Sequence, residues 1–151
     1  MIVEFQPAAE ADLAFARTLA RRTMMPYYTR HGLLWRDSDF DDGWGWRENY
    51  MLHHQEELLG FVSLSVDARA LYIRELHLLE SARGRGVGSA VLDRMLALAA
   101  RRHLGLLRLM VFKDNPAQRL YARKGLQVVG EDPCFWRMQK RVEAPGSVLS
   151  L

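Results

Sequence analysis

ESARGRGVGSAV, residues 80–91, places glycine at 84, 86 and 88, with Arg83 and Arg85 among them. Glycine takes positive φ without a steric penalty and lets an anion approach where a Cβ would collide. A helix start adds unpaired N–H groups and the positive end of the helix dipole, and both attract phosphate. The flanking sequence supplies that setting. ALYIRELHLL (70–79) reads as a strand, and Val91, Leu92, Met95, Leu96 and Ala99 form one apolar stripe of a helix over 87–103. The loop is thus a candidate nest for a diphosphate. It is neither of two better-known loops. The dinucleotide fingerprint fails because Ser89 or Val91 stands where its third glycine belongs, and no Gly-Lys-Ser/Thr occurs. The alternative is a glycine-rich turn that only caps the helix.

Working outward, IVEFQPA (2–8) reads as a short strand ended by Pro7, and residues 9–24 as an amphipathic helix with Leu13, Ala16, Ala20 and Met24 in phase. Residues 26–50 are aromatic, acidic and punctuated by Gly32, Gly43 and Gly45, which suggests a helix fragment and loops. YMLHHQ (50–55) and LLGFVSLSV (58–66) flank a polar turn as a hairpin. LLRLMVF (106–112) is a further strand. NPAQRLYARKG (115–125) is a helix with Asn115 as cap, Pro116 in its first position and Gly125 at its exit. LQVVGE and FWRMQKRV close the sheet as an antiparallel pair. Hairpins mixed with two crossovers imply an α/β (α+β) three-layer domain rather than an all-parallel sheet. A single domain over 1–143 is expected, followed by a flexible tail, 144–151.

RGRGVG matches the pattern R/Q-x-x-G-x-G/A at Arg83, Gly86 and Gly88. The chain therefore resembles the GNAT superfamily of N-acyltransferases, whose acyl-CoA pyrophosphate motif this is. NPAQRLYARKG resembles that family's second conserved segment, with Asn115, Tyr121 and Gly125 in place. The resemblance covers roughly residues 58–141 and implies a mixed sheet of about six to seven strands, splayed at the cofactor site and flanked by helices. It implies acetyl-CoA as cosubstrate, held by Arg83, Gly84, Arg85, Gly86, Val87, Gly88 and Ser89, by the main chain of Leu78, and by Asn115. No metal is implied. It implies an amine acceptor, and a homodimer is an expectation because family members are often dimers.

In such enzymes an amine attacks the thioester directly and coenzyme A leaves as a thiolate. Tyr121 lies where the family's tyrosine lies, and a phenol of pKa about 10 suits a proton donor to departing sulfur. A tyrosine simply packed in the core is the alternative. Glu75, three residues before Leu78, is the candidate general base, with Tyr72 and Arg74 on the other strand face as rival offsets. His77 shares the Glu75 face, and a packed, hydrogen-bonded histidine is the simpler reading. His53 and His54 are adjacent and point apart, against a shared metal site. Asp37, Asp39, Asp41 and Asp42, set beside Trp35, Phe40, Trp44 and Trp46, would recruit a cationic amine or form a charged surface.

A net charge of +3 is too small and too scattered to argue for nucleic acid. No apolar run is long enough to span a bilayer, and the acidic N-terminus is unlike a signal peptide, so the expected setting is cytoplasmic with no membrane partner. Cys134 is the only cysteine, which excludes an internal disulfide. Two readings compete with the enzyme: a non-catalytic acyl-CoA-binding or sensing module, and a basic nucleic-acid binder.

Overall fold

Periodicity and glycine punctuation resolve into seven strands and four α-helices in a computed structural model that describes residues 1–143. In chain order these are β1 (Glu4–Pro7), α1 (Leu13–Arg30), α2 (Asp37–Trp46), β2 (Glu48–His54), β3 (Glu57–Val66), β4 (Ala70–Leu78), α3 (Val87–Arg101), β5 (Leu106–Phe112), α4 (Ala117–Arg123), β6 (Gln127–Glu131) and β7 (Phe135–Arg141). The strands form one mixed sheet in the order β1-β2-β3-β4-β5-β7-β6. β1 and β2 pair antiparallel, as do β2 and β3. β4 and β5 pair in parallel over Ala70–Ile73 against Leu106–Leu109, and β4 itself continues to Leu78. β7 lies antiparallel between β5 and β6. This is the mixed α/β architecture expected from the sequence. The tail 144–151 lies outside the described residues.

The described residues divide into two compact units, one of Met1–Ser65 with Arg74–Val87, the other of Val66–Ile73 with residues 88–143. In the first, Ala16, Leu19 and Ala20 of α1 pack with Phe40, Met51 and Phe61 in one buried cluster. Phe61 is its hub, with the rings of Phe40, Trp44 and His77 centred 6.1, 6.0 and 5.5 Å away. In the second, the expected α3 stripe is buried at Val91, Leu92, Met95 and Ala99, with Leu96 half-buried. Leu109 of β5 and its register partner Met138 of β7 are buried too.

Three local departures from the sequence reading have physical causes. α1 runs through Pro26 to Arg30, although proline removes an amide from the helical ladder. Beyond the proline, Tyr28 packs edge-on against Trp35 with ring centroids 5.3 Å apart. The acidic, glycine-bearing run is helix α2 and not mostly loop, tied to α1 by two ion pairs: Arg17 to Asp41 at 2.7 Å and Arg21 to Asp37 at 2.7 Å. α4 begins at Ala117, so Pro116 is its cap residue. The Asn115 side chain still caps, accepting the Ala117 N–H at 2.9 Å from one position further out.

One backbone contact fixes the far end of β4. Gly60 of β3 lies so close to β4 that a Cβ there would collide with the His77 carbonyl oxygen and stand 2.9 Å from the Leu78 Cα. Only glycine allows this approach.

Candidate active site

After a single 3₁₀ turn at Glu80–Ala82 the chain extends at Arg83 and enters the glycine loop. Gly84 and Gly86 have φ of +71° and +82°, a conformation that L side chains rarely adopt. A Cβ at either would meet no protein atom within 4 Å, so the glycines answer to backbone conformation and not to crowding by the protein. α3 starts immediately after, at Val87, which is buried. Gly88 has a different cause: a Cβ there would stand 2.9 Å from Leu120 Cδ2, so the third glycine lets α3 and α4 approach.

The loop arginines are already engaged. Arg85 grips Glu57 with both terminal nitrogens, at 2.8 and 2.9 Å, and this hydrogen-bonded pairing raises its pKa above the ordinary value. Arg83 donates to the Leu78 carbonyl at 3.2 Å. What the loop offers an anion most directly is therefore main-chain N–H.

On β4, Glu75 and His77 point to the same side, as alternation requires. Glu75 Oε2 lies 2.6 Å from His77 Nε2, and Glu75 Oε1 lies 3.8 Å from a terminal nitrogen of Arg47. His77 is buried, hydrogen-bonded and set against Phe61, the packed histidine expected. Its Nδ1 is buried without a partner among the described residues. The rival base positions are taken up elsewhere. Arg74 Nε donates to Ser65 Oγ at 2.8 Å, and the Tyr72 hydroxyl accepts from Arg108 at 2.9 Å.

Glu75 lines a cavity of about 160 Å³ together with Tyr28, Trp35, Arg36, Asp39 and Arg47. Burial, with help from the charges of Glu75 and Asp39, pushes the Tyr28 phenol up. The structure divides the aspartates between ion pairs and the cavity. Asp41 is held by Arg17, and Asp37 accepts from Arg21 and, at 2.8 Å, from the Trp35 indole. Asp39 is the one member of that set that lines the cavity, and Arg36 and Arg47 balance it and Glu75.

Arg47 was missed by sequence reasoning. It follows Trp46 at the exit of α2, and its guanidinium lies over Gly43, where a Cβ would come within 2.8 Å of Cζ. Trp46 flanks it at 5.2 Å. Its Nε is buried with no acceptor among the described residues. Desolvation lowers its pKa despite Glu75, and Arg74 adds to the effect. The only sequence signal for it is an arginine directly after Trp-Gly-Trp and before a strand.

In the second unit, Tyr121 stands in the middle of α4. Burial of its phenol pushes the pKa up to about 12. Asn115 is occupied with the start of the same helix, and Gln118 donates back to the Lys113 and Asn115 carbonyls at 2.7 and 3.1 Å.

A family model described as the acetyltransferase (GNAT) family matches residues 14–126, and the chain belongs to that family. Solved structures carry the same fold at low identity. The ribosomal-protein-S18-alanine N-acetyltransferase of Escherichia coli superposes with a TM-score of 0.75 at 17% identity, over 97% of both chains. The PaiA N-acetyltransferase of Thermoplasma acidophilum, in complex with coenzyme A, gives 0.72 at 16%, over 93% of this chain and 99% of that one. The spermidine N-acetyltransferase of Vibrio cholerae, with CoA and spermine, gives 0.72 at 17%, over 92% and 95%. Comparison with curated proteins by sequence yields no match.

Proposed function

We propose that this chain transfers the acetyl group of acetyl-CoA to a primary amine by direct attack, with both substrates bound together. The observation that carries the proposal is the glycine loop: two glycines at positive φ feeding straight into the start of α3, in a chain of this family. In this reading the N–H groups of Arg85, Gly86, Val87, Gly88 and Ser89 hold the diphosphate, with Gly84 shaping the turn. Arg83 supports the loop, Leu78 offers its main chain to the pantetheine arm in the manner of an added strand, and Asn115 adds a cofactor contact.

The amine nitrogen attacks the thioester carbon, a C–N bond forms and the C–S bond breaks. Glu75 accepts the proton lost by the amine, directly or through water. His77 is a positioning residue, orienting Glu75 through the 2.6 Å hydrogen bond. The raised pKa of Tyr121 refines its part. A phenol near 12 facing a thiol of roughly 8.5 is too weak an acid to surrender its proton fully, so Tyr121 serves by donating a hydrogen bond to the departing sulfur.

Calorimetric titration of acetyl-CoA, followed by thiol release across a panel of amines, tests the proposal. Binding with turnover supports it. Binding without turnover on any amine would indicate the non-catalytic module, and no binding at all would remove both.

A further inference from the structure

The cavity beside Glu75 carries information about the acceptor that the acidic run of the sequence does not. A pocket for a polyamine needs an excess of carboxylate over cation, because every amine of such a ligand arrives charged. Here the charged lining is balanced, with Arg36 and Arg47 against Asp39 and Glu75. Of the other aspartates of the acidic run, Asp37 and Asp41 are paired with Arg21 and Arg17, and the exposed Asp42 does not line the cavity.

Arg47 is the second observation. Its charge is half-buried, its Nε has no acceptor among the described residues, and its nearest carboxylate oxygen, on Glu75, is 3.8 Å away. The other Glu75 oxygen is engaged by His77 at 2.6 Å, so Glu75 does not close on the guanidinium. An arginine desolvated in this way and left short of hydrogen bonds is matched by a planar carboxylate, which takes two parallel N–H donors. Burial lowers its pKa and the neighbouring charge of Arg74 adds to that, against the opposing charge of Glu75. Placing that cation next to Glu75 also limits how firmly Glu75 would hold an amine in its protonated, unreactive form.

Resting on the acetyl-transfer reading, we infer that the acceptor is an α-amino acid: its carboxylate is taken by Arg47 and its amino group is presented to Glu75. A peptide N-terminus, which has an amide where the amino acid has a carboxylate, and a simple or polyvalent amine are both disfavoured.

The test measures kcat/KM with acetyl-CoA for the standard amino acids, then, for the best of them, its amide and its decarboxylated amine. The free acid is expected to exceed both analogues by about 10- to 100-fold. Arg47→Gln should remove that preference, mainly through KM of the acceptor, with coenzyme A affinity unchanged. Arg47→Lys should restore only part of it, because the charge returns without the fork. Equal or better turnover of the amide or amine by the native protein would overturn the inference and leave the acetyltransferase reading standing. If acetyl-CoA binds but no acceptor turns over, the transferase reading fails. In that case the same amino acids are titrated with coenzyme A present and read by tryptophan fluorescence. Binding lost in Arg47→Gln would support the carboxylate site, and absence of binding would overturn it.

Discussion

Glu75 and His77 form a dyad on one face of β4, oxygen to nitrogen at 2.6 Å, with His77 buried and Glu75 one-fifth exposed. The buried partner fixes the carboxylate, and the exposed one keeps access to a cavity. Glu75→Gln retains shape and loses basicity, so kcat should fall about 10²-fold or more while acetyl-CoA affinity holds. His77→Phe keeps a ring against Phe61 and removes the hydrogen bond to Glu75. Its melting temperature should stay near native while kcat drops. A variant whose kcat is unaffected would show that the dyad serves packing alone.

The glycines give predictions of opposite sign. Gly60→Ala drives a Cβ into the His77 carbonyl, so the β3–β4 contact must open, at a cost of about 3 kcal/mol. Because Leu78 adjoins the same contact, acetyl-CoA affinity should fall with it. Gly45→Ala, inside α2 with nothing within 4 Å of the new methyl group, should instead stabilise by about 0.5–1 kcal/mol. Denaturant midpoints of the two variants decide both at once.

The pattern of what the sequence revealed follows from which forces act locally. β4, the glycine loop and α3 are readable because period, punctuation and dipole all act within neighbouring residues. α1 beyond Pro26 and helix α2 are not, because proline and paired glycines are local stop signals that tertiary packing overrides. Gly43 illustrates this: it reads as a helix breaker, yet its missing Cβ is what makes room for the Arg47 guanidinium. Arg47 itself was invisible because its significance lies in Glu75, on an element distant in sequence. The pairing of Asp37 and Asp41 was hidden for the matching reason, since their partners Arg21 and Arg17 sit on α1.

The ion pair of Asp37 with Arg21 makes stability depend on acid. Hydrogen bonds from Trp35 and then Arg21 hold the Asp37 pKa below its ordinary 3.8. A carboxylate depressed in the folded state contributes stability that is fully present above its unfolded pKa and is lost as pH falls through the folded one. Asp37→Asn should therefore melt below the native protein at about pH 6. The gap should close as pH drops through about 4 toward about 2. A difference in melting temperature independent of pH would assign the effect to packing of the amide and not to the charge.

Tyr121 makes the last prediction, and its elevated pKa gives it a sign. A donor must be protonated to act, and burial keeps this phenol protonated up to about 12. The pH profile of kcat/KM, which reports groups of the free enzyme, should therefore show no descending limb from Tyr121 below about pH 10. Tyr121→Phe should lower kcat by about 10²-fold through loss of one hydrogen bond to the leaving sulfur, with little change in acetyl-CoA affinity. An acyl donor with a more acidic thiol leaving group needs that bond less, so the penalty of Tyr121→Phe should shrink with it. A penalty identical for both donors would place Tyr121 in the packing of α4 and outside the chemistry.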